Sequence, residues 1–311
     1  MVTGCAGFIG SHMSESLLDA GKVVVGVDNF RTGQREFLEK QLKHENFNFL
    51  EIDLKNSEQL GKAFENVETV YHFAANADVR YGKDFPRRDL EENTIATHNV
   101  LEAMRLNNVE KIVFSSTGSI YGDSSIIPTP EDSPFPIQTS LYGASKLACE
   151  GLIEAYCASF GMKSWIYRFV SILGPRYSHG HVYDFVSKLR SNPTTLEVLG
   201  NGFQRKSYLH INDCISGIHL SMKTFNEKIN VINLGFDGTC TVRDSIHWII
   251  EELGINPNIF YGEEIRGWIG DSPLIHLATD KIKTANWNPQ WTIESSVKDT
   301  VRYLKTNEWL F

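Results

Sequence analysis

The sequence predicts an α/β fold, a doubly wound parallel sheet followed by a smaller C-terminal α/β region. Three observations lead there. Short apolar runs rich in β-branched residues alternate with helical stretches up to about residue 170. A glycine-rich turn joins the first strand to the first helix. Beyond residue 170, turn signals such as "LGPRYSHGH", "RSNPTT" and "LGNGF" become dense and the elements shorten.

The opening "MVTG" supplies only a stub of a first strand. It predicts a strand clipped on its N-terminal side, with no signal peptide ahead of it. A helix follows over 8–20, then the strand "KVVVGVDN" (22–29) and the alternating strand "NFNFLEIDL" (46–54). A helix over 57–65 precedes the strand "VETVYHFAA" (67–75). The long helical pattern over 88–107 precedes the strand "EKIVFSST" (110–117). A helix over 142–160 and the strand "SWIYRFV" (164–170) complete the series. Strands separated by helices are βαβ units, which give a parallel sheet covered on both faces. A helix over 213–223 and the strand "VINLG" (231–235) read as a return to the first domain. The expected domains are therefore 1–170, with 212–235 returning to it, and 171–311.

Bulk properties narrow the class. The chain has 311 residues, 41% hydrophobic and 22% charged, with 30 basic against 38 acidic side chains. No basic run supports binding to nucleic acid or to an anionic membrane. No apolar run approaches the ~18 residues of a membrane span. The five cysteines form no C-x-x-C pair and read as reduced, buried thiols of a cytoplasmic protein. His179, His181 and the other histidines lack Cys or carboxylate partners at ligand spacing, so no metal is expected.

Two stretches carry chemistry. In "TGCAGFIGSH", Gly4, Gly7 and Gly10 sit between a strand and a helix. Such glycines let the backbone approach a pyrophosphate, and the helix N-terminus offers N–H donors. Asp28 ends the next strand. A carboxylate there accepts from both ribose hydroxyls and repels a 2′-phosphate, which favours NAD over NADP. Asp53 ends the following strand and suits an adenine amino group, although Asp at a strand end also serves as a helix cap. In "SLYGASKLACE", Tyr142 and Lys146 lie one turn apart on one helix face. Thr117, at the carboxyl end of its strand, is placed to meet them.

Taken in order, "VTGCAGFIGSH", "VDN", "DL", "HFAA", "FSSTGSIYG", "YGASK", "YRFVSILGPR", "GNGFQRKSYLHINDC" and "RGWIGD" closely resemble the extended short-chain dehydrogenase/reductase family. The closest likeness is to its nucleotide-sugar epimerases of the UDP-glucose 4-epimerase type. The resemblance implies a Rossmann-like fold and NAD as cofactor. It places cofactor contacts on Gly4, Gly7, Phe8, Ile9, Gly10, Asp28, Asn29, Asp53, Leu54, Phe73, Ala74, Ala75, Asn93, Ser115, Tyr142 and Lys146. It makes Tyr142 the acid/base on a sugar hydroxyl, with Thr117 sharing that proton and Lys146 holding the nicotinamide ribose. A free phenol ionises near ~10, so Lys146 and the charged nicotinamide are expected to favour the phenolate.

Subclass follows from what is absent. Family 4,6-dehydratases carry Asp-Glu after the threonine and decarboxylases carry a nearby Glu, whereas this chain has Gly118 and Ser119. Reductases of the superfamily exchange NADP(H), which disagrees with Asp28. The implied reaction is C4 epimerisation of a UDP-hexose through a transient 4-keto sugar. Epimerisation of another sugar or carbon, net oxidoreduction, and non-catalytic dinucleotide sensing are the alternatives. On the substrate side the resemblance points to Thr117, Ser171, Lys206, Arg266 and Asp271. The family's usual Asn is Ser171 here and its usual Arg is Lys206. Arg80 and Arg176 are further possible anion contacts. His72 is expected to pack beneath the cofactor. The helices over 88–107 and 142–160 carry surplus apolar residues, and in this family they pair two chains into a homodimer.

Overall fold

A computed structural model of the protein describes residues 1–79, 81–135, 137–267 and 274–311. The chain divides into two compact units, one of residues 1–120, 140–168 and 221–232, the other of 121–139, 169–220 and 233–311.

The first unit holds strands β1 (Val2–Thr3), β2 (Val24–Asp28), β3 (Phe47–Glu51), β4 (Thr69–His72), β5 (Lys111–Thr117) and β6 (Lys163–Phe169). Its helices are α1 (Phe8–Asp19), α2 (Ser57–Ala63), α3 (Tyr81–Asp84), α4 (Pro86–Asp89), α5 (Ala96–Leu106) and α6 (Leu141–Phe160). In the second unit lie β7 (Ser171–Leu173), β8 (Thr195–Val198), β9 (Arg205–Lys206) and β10 (Tyr208–His210). The strand Ile229–Leu234 is β11, and β12 (Cys240–Thr241), β13 (Asn258–Tyr261) and β14 (Leu274–Ile275) follow it. Helices α7 (His181–Ser191), α8 (Ile211–Thr224), α9 (Val242–Leu253), α10 (Asp280–Lys283) and α11 (Ile293–Thr306) complete the chain.

Seven strands form one sheet in the order β11-β6-β5-β4-β1-β2-β3. The pairs β1–β2, β2–β3, β1–β4 and β4–β5 run parallel. Strand order reverses at β1, which has β2 on one side and β4 on the other. Ligands of open α/β sheets bind at such a switch point, beyond the strands' carboxyl ends. Val27, Val70, Ile112 and Phe114 from the strands pack with Leu60, Phe64, Leu101, Met104 and Ile153 from the helices, all fully buried. Burial on both faces is why these strands read as continuous apolar runs.

Helix ends follow local chemistry. Ser140 caps α6 by accepting from Gly143 N at 3.0 Å, and Gly161 ends it in the left-handed region at φ 73°. The helix expected over 88–107 begins earlier, at Pro86, and contains a π-helical segment over Leu90–Ile95. A π segment adds a residue to the turn without changing apolar periodicity much, so the pattern did not reveal it. Among the described residues no helix is long and apolar enough to cross a membrane. All five cysteines are free and buried.

Candidate active site

The glycine turn follows β1 directly. Gly4 adopts φ 68°, and a Cβ there would lie 2.7 Å from Ala74 N. A Cβ on Gly10 would lie 2.1 Å from Gly4 O, so the turn and α1 can approach this closely only without side chains. Gly7 is the N-cap of α1 and supplies no side-chain cap, and the first turn carries no acidic residue. Helix geometry leaves first-turn N–H groups, here on the stretch containing Phe8 and Ile9, without intrahelical acceptors. A helix start with a glycine N-cap and no side-chain cap fits a pyrophosphate.

Asp28 closes this cradle. Its Oδ2 accepts from Ala6 N in the glycine turn at 2.9 Å and its Oδ1 from Phe30 N at 2.8 Å. Burial pushes the carboxyl up, while those N–H donors pull it back. A carboxylate offers about four lone-pair sites, so acceptor capacity remains for a hydroxyl donor. Asn29 donates to Asp53 Oδ2 at 3.2 Å, which brings those two predicted residues together. Asp53 Oδ1 accepts from Lys55 N at 2.9 Å, but the cap of α2 is Asn56, accepting from Gln59 N. Leu54 is buried in the core, and its carbonyl accepts from Asn99 at 2.9 Å.

Phe73, Ala74 and Ala75 follow β4 and are half-buried. Phe73 N donates to Thr3 O at 3.2 Å, which ties this loop to β1. Beneath it His72 bridges Thr3 Oγ1 at 2.7 Å and Thr97 Oγ1 at 3.0 Å. Burial lowers its imidazole to about 3, so it is neutral.

The carboxyl end of β5 meets the first turns of α6. The Thr117 hydroxyl hydrogen-bonds the Tyr142 phenol. Thr117 Oγ1 also accepts from Ser119 N at 3.1 Å. Lys146 is 2% exposed, donates to Ser115 O at 2.8 Å and lies 4.6 Å over the Phe114 ring. Burial raises the phenol to about 12 against the lowering effect of the Thr117 bond, with Asp89 and Cys149 adding to the rise. Burial lowers the Lys146 ammonium to about 8, opposed by Cys149, Glu150 and Asp89. Without the nicotinamide, the protein alone raises the phenol. Lys146 donates to a backbone carbonyl, and desolvation of the phenol outweighs the Thr117 bond.

Two buried networks support the pair, and sequence reasoning missed both. Ser116 Oγ bonds Glu150, whose carboxylate receives Arg168 Nη2 at 2.7 Å and Nε at 3.1 Å, with the ion-paired side chains 3% and 4% exposed. Glu150 continues the face of Tyr142 and Lys146 at the same i+4 step, a signal that was legible. Asn93, predicted as a cofactor contact, is 1% exposed and accepts from Asn76 N at 2.8 Å. Its Nδ2 donates to Ser145 Oγ at 2.9 Å, while Asn76 donates to Asp89 at 2.8 Å.

Of the substrate-side expectations, Ser171 is exposed on β7, whose register partner is Tyr208. Lys206 is half-buried on β9, paired with Cys240 and Ile275. Arg266 is exposed and ion-paired to Asp123 at 2.8 Å. Arg176 adopts φ 67°. Asp271 and Arg80 lie outside the described residues. Among the described residues no group of three His, Cys, Asp or Glu could hold a metal.

A model of the NAD dependent epimerase/dehydratase family matches residues 1–235. The UDP-glucuronate 4-epimerase of Thermodesulfobacterium geofontis is 32% identical over 324 residues, which cover 99% of this chain and 96% of that relative. A crystal structure of UDP-galactose 4-epimerase matches with a TM-score of 0.89 at 36% identity, covering 99% of both chains. The Thermus thermophilus UDP-glucose 4-epimerase, solved in complex with NAD, matches with a TM-score of 0.86 at 31% identity, covering 98% of both chains. The sequence match and the fold agree with the turn, carboxylate and phenol found here: the chain belongs to the NAD-dependent epimerase/dehydratase family, and NAD is its cofactor.

Proposed function

We propose that this NAD-dependent nucleotide-sugar epimerase inverts C4 of a UDP-hexose, with Tyr142 as acid/base. The observation that carries the reading is the Thr117–Tyr142–Lys146 cluster, next to which Gly118 and Ser119 offer no second acid or base. Dehydration or decarboxylation needs such a group, whereas epimerisation does not.

Gly4, Gly7, Gly10 and Asp28 would hold the dinucleotide, with Asn29 and Asp53 at its adenine end and Lys146 at its nicotinamide ribose. Bound there, NAD supplies a reversible hydride acceptor and a positive charge. Tyr142 Oη takes the proton of the sugar's O4 hydroxyl as C4 becomes a ketone and returns it after the ketose has presented its other face. Thr117 Oγ1 orients that oxygen. Lys146 lies over the buried, apolar Phe114 ring, with the neutral His72 beside that ring, and such low-dielectric surroundings strengthen charge interactions. Ser171, Lys206, Arg266 and Asp271 are the residues we assign to the nucleotide-sugar. Lys206 neutralises phosphate as a point charge and lacks the bidentate fork of an arginine. The first unit is then the NAD-binding part and the second the nucleotide-sugar part.

The relatives act on different UDP-sugars, so the test is a panel of UDP-, GDP-, CDP- and dTDP-sugars, UDP-glucuronate included, scored for a C4 epimer. Conversion of a UDP-hexose without added NAD supports the reading. Epimers at another carbon, or stoichiometric NAD consumption, reject it. We also propose a homodimer. Phe85, Leu90, Ile95, Leu141 and Phe160 are large apolar residues on α6, or on α4 and the π segment or beside them, each at least 43% exposed. Light scattering that returns a monomer at micromolar concentration rejects this.

A further inference from the structure

Asp89 is a buried carboxyl that the mechanism above does not use. It ends α4, immediately before the π segment that carries Asn93, and is 1% exposed. Its Oδ1 accepts from Asn76 Nδ2 at 2.8 Å and from Asn93 Nδ2 at 3.5 Å. Its Oδ2 is buried and has no hydrogen-bond partner. That oxygen faces Gly82, where a Cβ would come within 2.5 Å of it and 3.2 Å of Leu141 Cβ. Burial pushes this carboxyl above its ordinary range, opposed by the Asn76 hydrogen bond and by Arg88 and Lys146, which favour the carboxylate. An unpaired buried carboxylate oxygen is costly, and a packed core does not require one.

The surroundings tie this anion to the reacting pair. Asn93 links it to Ser145, and Ser145 Oγ donates to Tyr142 O at 2.8 Å. Leu141, packed near Gly82, is the residue before Tyr142. The charged or titratable groups facing Asp89 are Asp78 in the loop after β4, Arg88 on α4, and Tyr142 and Lys146 on α6.

We propose that Asp89 is a positioning residue for proton transfer at Tyr142: a buried anion that clamps the loop after β4 to α6 and acts electrostatically on the phenol and on Lys146. The idea rests on the reading of Tyr142 as the acid/base. Electrostatically, Asp89 opposes the phenolate and favours the ammonium, so Tyr142 keeps its proton until positive charge is bound beside it.

The test is titration of the Tyr142 phenol in the NAD-loaded protein, read as the near-ultraviolet phenolate difference between each variant and the same variant carrying Tyr142→Phe. Asp89→Asn keeps the size and the acceptor for Asn76 but removes the charge. Its Tyr142 titration should fall by about one pH unit, the size of effect expected from a nearby charge. The limb of the kcat profile that depends on Tyr142 should move with it. An unchanged titration in a folded Asp89→Asn protein overturns the proposal. Should that variant fail to fold, Asp89→Ser is smaller, keeps a hydroxyl and carries the same test. If neither folds, the carboxylate serves the fold alone and the proposal is wrong. Because the phenol is titrated directly, the result stands apart from the epimerase reading, which fails instead if Tyr142→Phe turns over normally.

Discussion

Replacing Tyr142 with Phe deletes one oxygen and leaves the ring. The Thr117 hydroxyl loses that partner but still accepts from Ser119 N at 3.1 Å, so the stability loss should be on the order of 1 kcal/mol. Catalysis should suffer far more. In the protein alone the phenol sits at about 12, so at pH 8 its ionisation is about four units uphill, roughly 5 kcal/mol. Lys146, lowered to about 8, is only half charged there and cannot supply this by itself. The positive nicotinamide has to bring the apparent value well below ~10 for the phenolate to serve as a base. The sign follows: the base form grows with pH, so kcat should rise with pH through that value and then level. Tyr142→Phe should fold, retain NAD, lose at least ~100-fold in kcat and lose this limb. The assays are a coupled epimer assay at saturating substrate, NAD content after desalting, and a thermal melt. A folded, NAD-loaded Tyr142→Phe protein turning over near the wild-type rate refutes the reasoning.

Asp28→Ala removes the acceptor of Ala6 N and Phe30 N together with a predicted ribose ligand. NAD affinity should drop by roughly 1.5–3 kcal/mol and the preference over NADP should narrow; equal affinities before and after would reduce Asp28 to a turn residue. Gly10→Ala puts a methyl 2.1 Å from Gly4 O, so about 1–3 kcal/mol of strain should open the turn, and purified protein should carry little NAD while remaining folded. Full NAD occupancy would contradict that. Glu150→Gln leaves Arg168 buried without its counter-charge and should cost about 3–5 kcal/mol in denaturant unfolding, whereas an apolar pair at both positions should recover much of it. An unchanged midpoint for the single variant would show that the pair is not coupled.

The parallel sheet was legible because buried strands read as β-branched runs and each crossover helix kept its own period. The glycine turn, Asp28, Thr117, Tyr142 and Lys146 were legible because their chemistry depends on residue type at fixed local spacing. What stayed hidden was set by three-dimensional closure. Asp89 and Asn76 stand 13 residues apart with no periodic relation and meet only because of the path of the loop after β4, and the π segment between Asp89 and α5 leaves no mark in apolar periodicity. Arg168 comes from β6 to answer Glu150 on α6, a pairing that the i+4 step from Lys146 hints at from one side only. The phenol's raised pKa was also invisible, because desolvation depends on everything packed around Tyr142 and not on the Tyr-x-x-x-Lys spacing.

The central proposal is that C4 of a UDP-hexose is oxidised to a ketone and reduced again at one site around Tyr142, with no net redox change. The direct measurement uses a UDP-hexose deuterated at C4, incubated with the purified protein in ordinary water without added NAD, and follows the label by NMR. The account predicts the C4 epimer with deuterium retained at C4 and no exchange with solvent, since the hydrogen removed there is the one returned. Loss of the label to water, deuterium loss at a different carbon, or the absence of any C4 epimer would contradict it.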